Sequence, residues 1–194
     1  MGPAPPLMTA HEYFKTPETV KPMELAFGAL RVADAPSAYH QSMVIELFRA
    51  LDQHVRDRQL GRMWVAPLDV VLSEARALIV QPDLFFVAHD RDGIVQERVY
   101  GPPDLVIEVL SPNPRIGSTD ERVGWFARFG VRECWLVHAD EIEMSVLRFG
   151  NQRVEDSSRI RRDEPISSAV LPDFTATLEE IILNDGKPFP FRRV

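Results

Sequence analysis

Apolar residues recur along the chain with two different periods, which separate predicted helices from predicted strands. Between residues 37 and 59 they recur every three to four positions, which predicts a long helix whose buried face carries Val44, Leu47, Phe48, Leu51 and Val55. From residue 63 onward, short apolar or alternating runs predict strands at 63–67, 69–73, 79–88, 104–110, 133–138 and 143–149. Beyond residue 149 the pattern weakens, and only a short helix near 178–183 is predicted.

Short polar motifs mark where the helices begin and end. Thr9-Ala10-His11-Glu12 and Ser118-Thr119-Asp120-Glu121 fit the capping box, in which Ser or Thr at the helix start is followed three residues later by Glu. They predict one short helix and a second, longer helix that ends at Gly130. We expect Ser37 to cap the long helix described above and Gly61 to terminate it.

These elements predict one mixed α/β domain of the α+β kind. It would occupy residues 9–194, behind a Pro-rich flexible tail at 1–8. A mixed central β-sheet flanked by helices would form its body. Residues 23–27 and 29–33 would add an N-terminal β-hairpin extension.

The composition is that of a soluble globular protein with a negative net charge of −7. This charge disfavours a protein that coats nucleic acid without specificity, but it leaves room for local substrate contacts. The single cysteine, Cys134, excludes a disulfide within the chain and fits a reducing compartment. No apolar run approaches the 18 residues typical of a membrane span, so we expect a cytoplasmic protein that does not bind membranes.

Two carboxylates interrupt strongly apolar strands. In the strand at 104–110, Asp104, Val106, Glu108 and Leu110 share one face because successive side chains alternate. Glu108 therefore lies in the middle of a buried strand, and Asp83 directly precedes the apolar run at 84–87. A buried carboxylate without a partner is energetically prohibitive, so each must be neutralised, paired or bound to a metal ion.

The sequence alone leaves two interpretations of these carboxylates open. Adjacent carboxylates supply the hard oxygen ligands that Mg²⁺ or Mn²⁺ prefers, and such an ion can polarise a phosphoryl oxygen and activate water. Alternatively, Asp83 and Glu108 pair with some of the many arginines in structural ion pairs. Asp104 lies two pleats from Glu108, roughly 13 Å at the strand rise, and is expected to bond locally.

Several longer motifs carry a resemblance to a known family. They are Met23-Glu24-Leu25, Tyr39-His40-Gln41, Gln81-Pro82-Asp83-Leu84, the stretch GPPDLVIEVLSP at 101–112 and the stretch GVRECWLV at 130–137. In this order the chain resembles the PD-(D/E)XK restriction-endonuclease-like superfamily, and within it the large bacterial Uma-two family, long described as a domain of unknown function. The resemblance spans about residues 9–183 and is carried mainly by the long Pro-Asp-Leu-Val-Ile-Glu-Val-Leu-Ser-Pro string.

The resemblance implies a restriction-endonuclease-like core and hydrolysis of DNA phosphodiester bonds that depends on Mg²⁺ or Mn²⁺. Asp83 and Glu108 would be catalytic carboxylates and metal ligands. Glu24 would add a contact to the metal or its water, and His40 would carry a proton or contact phosphate. Without the resemblance, His40 could bond to backbone at the helix start, and Glu24 could form an ion pair in the hairpin.

The chain departs from the family pattern at the catalytic lysine. In the superfamily this lysine lies two residues beyond the second carboxylate, where this chain has Leu110. In the Uma-two branch it usually lies on the following helix, at a position that falls on Arg122, and the chain has no lysine between residues 22 and 186. Arginine could neutralise charge on a phosphate, but it could not act as a base because it does not give up its proton. Phe126 and His138 likewise replace the branch's usual tyrosine and aspartate.

These departures keep a second function open. The chain could be a catalytically inactive nuclease-fold protein that binds nucleic acid or a protein partner. The first function remains an endonuclease with DNA as its partner. A homodimer is compatible with it, because nucleases of this architecture often pair to cut both strands. The arginine cluster at 159–162 offers phosphate contacts, or else it is a solvated face that balances the acidic residues.

Overall fold

A computed structural model describes residues 6–17, 21–33, 35–110 and 117–182. The helices are α1 (Ala10–Tyr13), α2 (Ala38–Asp57), α3 (Thr119–Phe129) and α4 (Leu178–Ile182). The strands are β1 (Met23–Ala26), β2 (Ala29–Val32), β3 (Gly61–Val65), β4 (Val70–Ser73), β5 (Leu78–Val80), β6 (Leu84–Ala88), β7 (Val99–Tyr100), β8 (Leu105–Leu110), β9 (Glu133–His138), β10 (Glu143–Gly150) and β11 (Arg153–Ile160). A 3₁₀ helix spans His89–Ile94.

The strands form two mixed sheets flanked by helices, which confirms the α+β fold class with its mixed central sheet and adds a second, smaller sheet. The larger sheet has the order β11-β10-β9-β8-β6-β3, and the smaller sheet has the order β2-β1-β5-β4-β7. Pairing is parallel between β8 and β9 and between β4 and β7, and antiparallel elsewhere. The predicted hairpin is therefore one edge of the smaller sheet. The domain bounds of 9–194 stay a prediction.

The prediction of one continuous strand over residues 79–88 was wrong. The chain leaves the smaller sheet after β5 and enters the larger sheet at β6, so the two halves belong to different sheets. Pro82 has no N–H to continue a ladder. On either side of it, the Gln81 N–H donates to the Glu24 carboxylate, and the Asp83 carbonyl accepts from the Ala66 N–H. This crossing places Asp83 at the start of β6, beside the cleft described below.

The central strand β8 of the larger sheet is buried on both faces, as its apolar run predicted. Leu105, Ile107 and Val109 pack into the core beneath α2 and α4. Val106 and Leu110 face the opposite core, together with Phe126 of α3. The alternation inferred from the sequence is thus confirmed, and it places Glu108 on the α3 side of the sheet.

The helix starts follow the predicted caps. Thr9 and Ser118 both form complete capping boxes, with Glu12 and Glu121 respectively, and the Ser37 hydroxyl accepts from the His40 N–H. α3 ends at Gly130, whose φ of 97° is left-handed. In the described part of the chain, no helix is long and apolar enough to cross a membrane. The predicted strand break at 111–114 lies outside the described residues, as does the end of the predicted helix at residue 183.

Gly61 does not terminate the long helix, contrary to the prediction. It is the first residue of β3, and Gln59, with a φ of 53°, adopts the left-handed conformation after α2. Gly61 itself has a φ of 154°, and a Cβ on it would lie 2.1 Å from the Val87 carbonyl oxygen. Glycine is therefore required here by the close approach of β6 rather than by a helix end.

Replacing Gly61 with alanine is expected to lower the free energy of unfolding by about 1–3 kcal/mol, because β3 and β6 must separate to admit the methyl group. Urea-induced unfolding would measure the loss. Gly124 of α3 is the matched control, because a Cβ there meets no atom within 4 Å and its backbone is helical. Gly124→Ala should instead add about 0.5–1 kcal/mol. Equal behaviour of the two variants would contradict the steric explanation.

Candidate active site

All five residues that the sequence singled out line one cleft. It has a volume of about 940 Å³ and lies where the starts of α2 and α3 meet strands of both sheets. β1 contributes Glu24, α2 contributes His40 and α3 contributes Arg122, while Asp83 and Glu108 come from the larger sheet. Residues from five separate parts of the sequence thus converge on one place.

The register of the larger sheet places Asp83 next to Glu108. β6 and β8 pair antiparallel with Leu84 opposite Ile107, so the preceding residue of β6 lies alongside the following residue of β8. The Val109 N–H donates to Asp83 Oδ2 over 2.8 Å and fixes this carboxylate against the β8 backbone. The two carboxylates therefore share the α3 side of the sheet, as alternation required.

His40 pairs with Asp83. Its Nε2 lies 3.2 Å from Asp83 Oδ2, and the imidazole is largely buried in the first turn of α2. Burial lowers the pKa of His40, but the hydrogen bond and negative charge of Asp83 outweigh this, so the net pKa is raised. His40 is therefore a side-chain partner of Asp83, which favours its protonated form, and does not simply bond to local backbone at the helix start.

Arg122 bridges two buried carboxylates. Its Nη1 donates to Glu24 Oε2 over 2.5 Å, and its Nη2 and Nε donate to Glu108 Oε1 over 2.6 and 3.2 Å. The exposed fractions of the side chains are only 11% for Arg122, 1% for Glu24 and 13% for Glu108. Glu108 therefore forms an ion pair with an arginine, which is one of the two alternatives that the sequence left open.

Burial and mutual charge shift the pKa values of Glu108 and Arg122 within the triad that they form with Glu24. Burial raises the pKa of Glu108 to about 7, against the lowering effect of Arg122, and the negative charges of Asp83 and Glu24 add to the rise. Burial works to lower the pKa of Arg122, but the charges of Glu108 and Glu24 prevail and raise it. Arg122 therefore stays protonated, and it cannot serve as a base.

Gln81 and Asp69 belong to the same cleft, but sequence reasoning gave them no role. The Gln81 N–H donates to Glu24 Oε1 over 2.7 Å, while its side-chain amide donates to Asp69 Oδ1 over 2.9 Å. Asp69 also accepts hydrogen bonds from Tyr13 and Arg98. The position of Gln81 directly before Pro82-Asp83 was the available signal, but its partners Glu24 and Asp69 lie 57 and 12 residues away in the sequence.

The oxygen atoms of the cleft fit a small hard cation held by two carboxylates. Among the described residues, Asp83 Oδ1 and Glu108 Oε2 make no hydrogen bond, and the described lining has five carboxylates but only three lysine or arginine cations. A divalent ion would neutralise that excess. No group of three or more His, Cys, Asp or Glu residues has metal-binding geometry in the described ranges. Mg²⁺ or Mn²⁺ is an ion that two carboxylates and water could hold here.

Asp104 does not belong to this site, in agreement with its expected local role. It is fully buried, and it accepts hydrogen bonds from the Ala88 N–H, Arg91 and Arg132.

Of the two other departures from the family pattern, Phe126 forms part of the cleft wall, where its ring lies 5.7 Å from the Arg122 guanidinium carbon. His138 lies within hydrogen-bond distance of Ser145, outside the cleft lining.

Two of the three arginines in the cluster at 159–162 form ion pairs with glutamates. Arg159 pairs with Glu143, and Arg162 pairs with Glu179, each at 2.5 Å. On the long helix, Arg49 and Arg56 pair with acidic residues one turn away. These contacts favour the solvated, charge-balanced face over a prepared surface for phosphates.

Two mixed sheets with paired carboxylates at a central cleft define a nuclease-like fold. The family model Uma2, described as "Putative restriction endonuclease", matches residues 10–179, and the chain belongs to this family. A similar solved structure is that of a "putative nuclease belonging to DUF820" from Anabaena variabilis ATCC 29413. It has 18% sequence identity, a TM-score of 0.76, and an alignment that covers 90% of this chain and 97% of that one. A comparison with curated proteins gave no match.

Proposed function

We propose that this protein is an endonuclease that hydrolyses DNA phosphodiester bonds with Mg²⁺ or Mn²⁺. The observation that carries the proposal is the placement of Asp83 and Glu108 side by side in a cleft that also contains Arg122 and His40. Membership of a restriction-endonuclease family supports the reaction class and DNA as the substrate.

Each residue of the cleft has a part in this proposal. Asp83 and Glu108 would hold the ion, which when bound polarises the phosphate and activates water. The Val109 N–H fixes Asp83, and His40 contacts the same oxygen of that carboxylate and could carry a proton. Arg122 can stabilise negative charge on the phosphate through its guanidinium fork, and Glu24 keeps Arg122 in the cleft.

Plasmid cleavage tests the proposal. Supercoiled DNA with Mn²⁺ or Mg²⁺ should be cut by the wild-type protein, and a chelator should stop the reaction. Asp83→Ala and Glu108→Ala should each reduce the rate by more than about 100-fold, because loss of a metal ligand should exceed the 10- to 100-fold losses seen for outer-shell partners. Asp156→Ala is the matched control, because this exposed carboxylate of β11 pairs with Arg148 and does not line the cleft. Equal cleavage by all four proteins would indicate a contaminating nuclease and refute the proposal.

The products also report on the assembly. A homodimer would present two sites and convert supercoiled plasmid directly to linear DNA, whereas a single site would release nicked circles first. Sedimentation at the assay concentration would give the oligomeric state independently.

An inactive nuclease-fold protein that binds nucleic acid or a protein partner is the second candidate. The observation in its favour is that Arg122 already neutralises Glu108, which a metal ion would need. DNA binding without Mn²⁺-dependent cleavage, together with no Mn²⁺ binding by calorimetry, would select this candidate over the nuclease.

A further inference from the structure

The cation position beside Glu108 is held by the protein's own side chain. Among the described residues, two of the three hydrogen bonds made by the Arg122 guanidinium converge on Glu108 Oε1, and the third reaches Glu24. We propose that Arg122 is the resident cation of the site, and that it competes with a divalent ion for Glu108. The inference rests on the metal-dependent function proposed above and states what controls the loading of that metal.

Competition follows from the geometry of Glu108. Arg122 nitrogens lie 2.6 and 3.2 Å from Glu108 Oε1, and an ion bound about 2.1 Å from Oε2 would share the charge of the same carboxylate with the guanidinium. Two cations at such separations repel each other, and burial leaves little water between them to screen the repulsion. The ion therefore binds more weakly than it would to the same carboxylates without Arg122, because free energy is needed to weaken the contact between Arg122 and Glu108.

Glu24 determines where Arg122 goes when it is displaced. Its carboxylate is buried and held by the Gln81 N–H, and it accepts from a different guanidinium nitrogen than those on Glu108. Arg122 can therefore release Glu108 and remain attached to Glu24 inside the cleft. This makes Glu24 a positioning residue for Arg122 and not a third metal ligand.

The side chain at position 122 determines how strongly it competes with a metal ion for Glu108. A guanidinium presents several donors in a rigid fork, and here it satisfies two carboxylates at once. An ammonium is a single flexible donor centre that can hold both carboxylates less firmly. A chain with lysine at this position should therefore yield Glu108 to a metal ion more readily than this chain does.

Calorimetric titration with Mn²⁺ at pH 7.5 tests the proposal on the wild-type chain, Arg122→Met, Arg122→Lys and Arg98→Met. Arg122→Met should bind Mn²⁺ about 5- to 150-fold more tightly than the wild type, the usual range for coupled sites. Arg122→Lys should fall between them. Arg98 is the matched control, because it lines the same cleft and is paired with Asp69 instead of Glu108. Arg98→Met removes the same charge, so it should leave Mn²⁺ affinity within about threefold if the competition is local.

Thermal unfolding with and without Mn²⁺ provides a second readout that does not depend on activity. The rise in Tm on adding Mn²⁺ should be larger for Arg122→Met than for the wild type, and Glu108→Ala in the same background should abolish it. If Arg122→Met is too unstable to titrate, Arg122→Lys keeps the charge and supplies the same comparison. Wild-type Mn²⁺ binding that neither Arg122 variant improves would overturn the resident-cation inference and leave the metal site standing. Absence of Mn²⁺ binding in every variant would refute both.

Discussion

Alanine in place of Glu133 is expected to lower the free energy of unfolding by about 3–5 kcal/mol, since it removes one partner from a buried charged network. Glu133 is fully buried at the start of β9. Its carboxylate accepts from Trp135 Nε1 over 2.8 Å, the Ser168 hydroxyl over 2.6 Å and the Ala169 N–H over 2.7 Å, and Arg148 Nε lies 3.6 Å away. Alanine would leave these donors without an acceptor in the core.

Chemical denaturation of Glu133→Ala beside Glu143→Ala would measure this effect. Glu143 is also an acidic strand residue with an arginine partner, but that partner, Arg159, is largely exposed, so its loss should cost less than about 1 kcal/mol. Comparable losses in the two variants would contradict the prediction. Because Glu133 anchors the segment at 168–169 to β9, its role in the family-like GVRECWLV stretch is structural.

The sequence predicted those elements whose local pattern agrees with their tertiary environment. α2 was evident because it buries a single apolar face, and β8 because both of its faces are buried. The capping boxes gave the starts of α1 and α3, since the cap hydrogen bonds are made within four residues.

Elements defined by distant partners could not be predicted in the same way. β11 was missed because it is an edge strand, paired only with β10 and mostly exposed, so no apolar alternation marks it. The division of residues 79–88 between two sheets was missed because the apolar residues on both sides of Pro82 are equally buried. In that stretch the apolar pattern indicates which residues are buried, but it does not indicate which sheet each half joins.

The same distinction applies to the candidate site. Alternation along β8 and the position of Asp83 before β6 were enough to expect two neighbouring carboxylates, because both features are local. The contact between Arg122 and Glu24 joins α3 to the smaller sheet across 98 residues of sequence. Nothing in the neighbourhood of either residue indicates the other, so only the resemblance brought them together.

Stability provides a way to decide whether the triad of Glu24, Glu108 and Arg122 is structural or functional. Arg122→Met alone is expected to cost about 3–5 kcal/mol at pH 8, because two buried carboxylates then lack their cation. Replacing the whole triad, as Glu24→Gln, Glu108→Leu and Arg122→Met together, should restore stability to within about 2 kcal/mol of the wild type or exceed it. Glutamine at 24 keeps an acceptor for the Gln81 N–H.

Urea-induced unfolding of the single, double and triple variants gives the coupling free energies of this cycle, which we expect to be about 1–3 kcal/mol for each contacting pair. A triple variant as stable as the wild type would show that burying three charged groups gains the fold nothing, so their presence requires another explanation. Cation binding in the cleft is that explanation, since it needs Glu108 ionised and Arg122 held beside it by Glu24. A triple variant that is several kcal/mol less stable would instead make the triad a structural ion-pair network and would favour the inactive nuclease-fold protein.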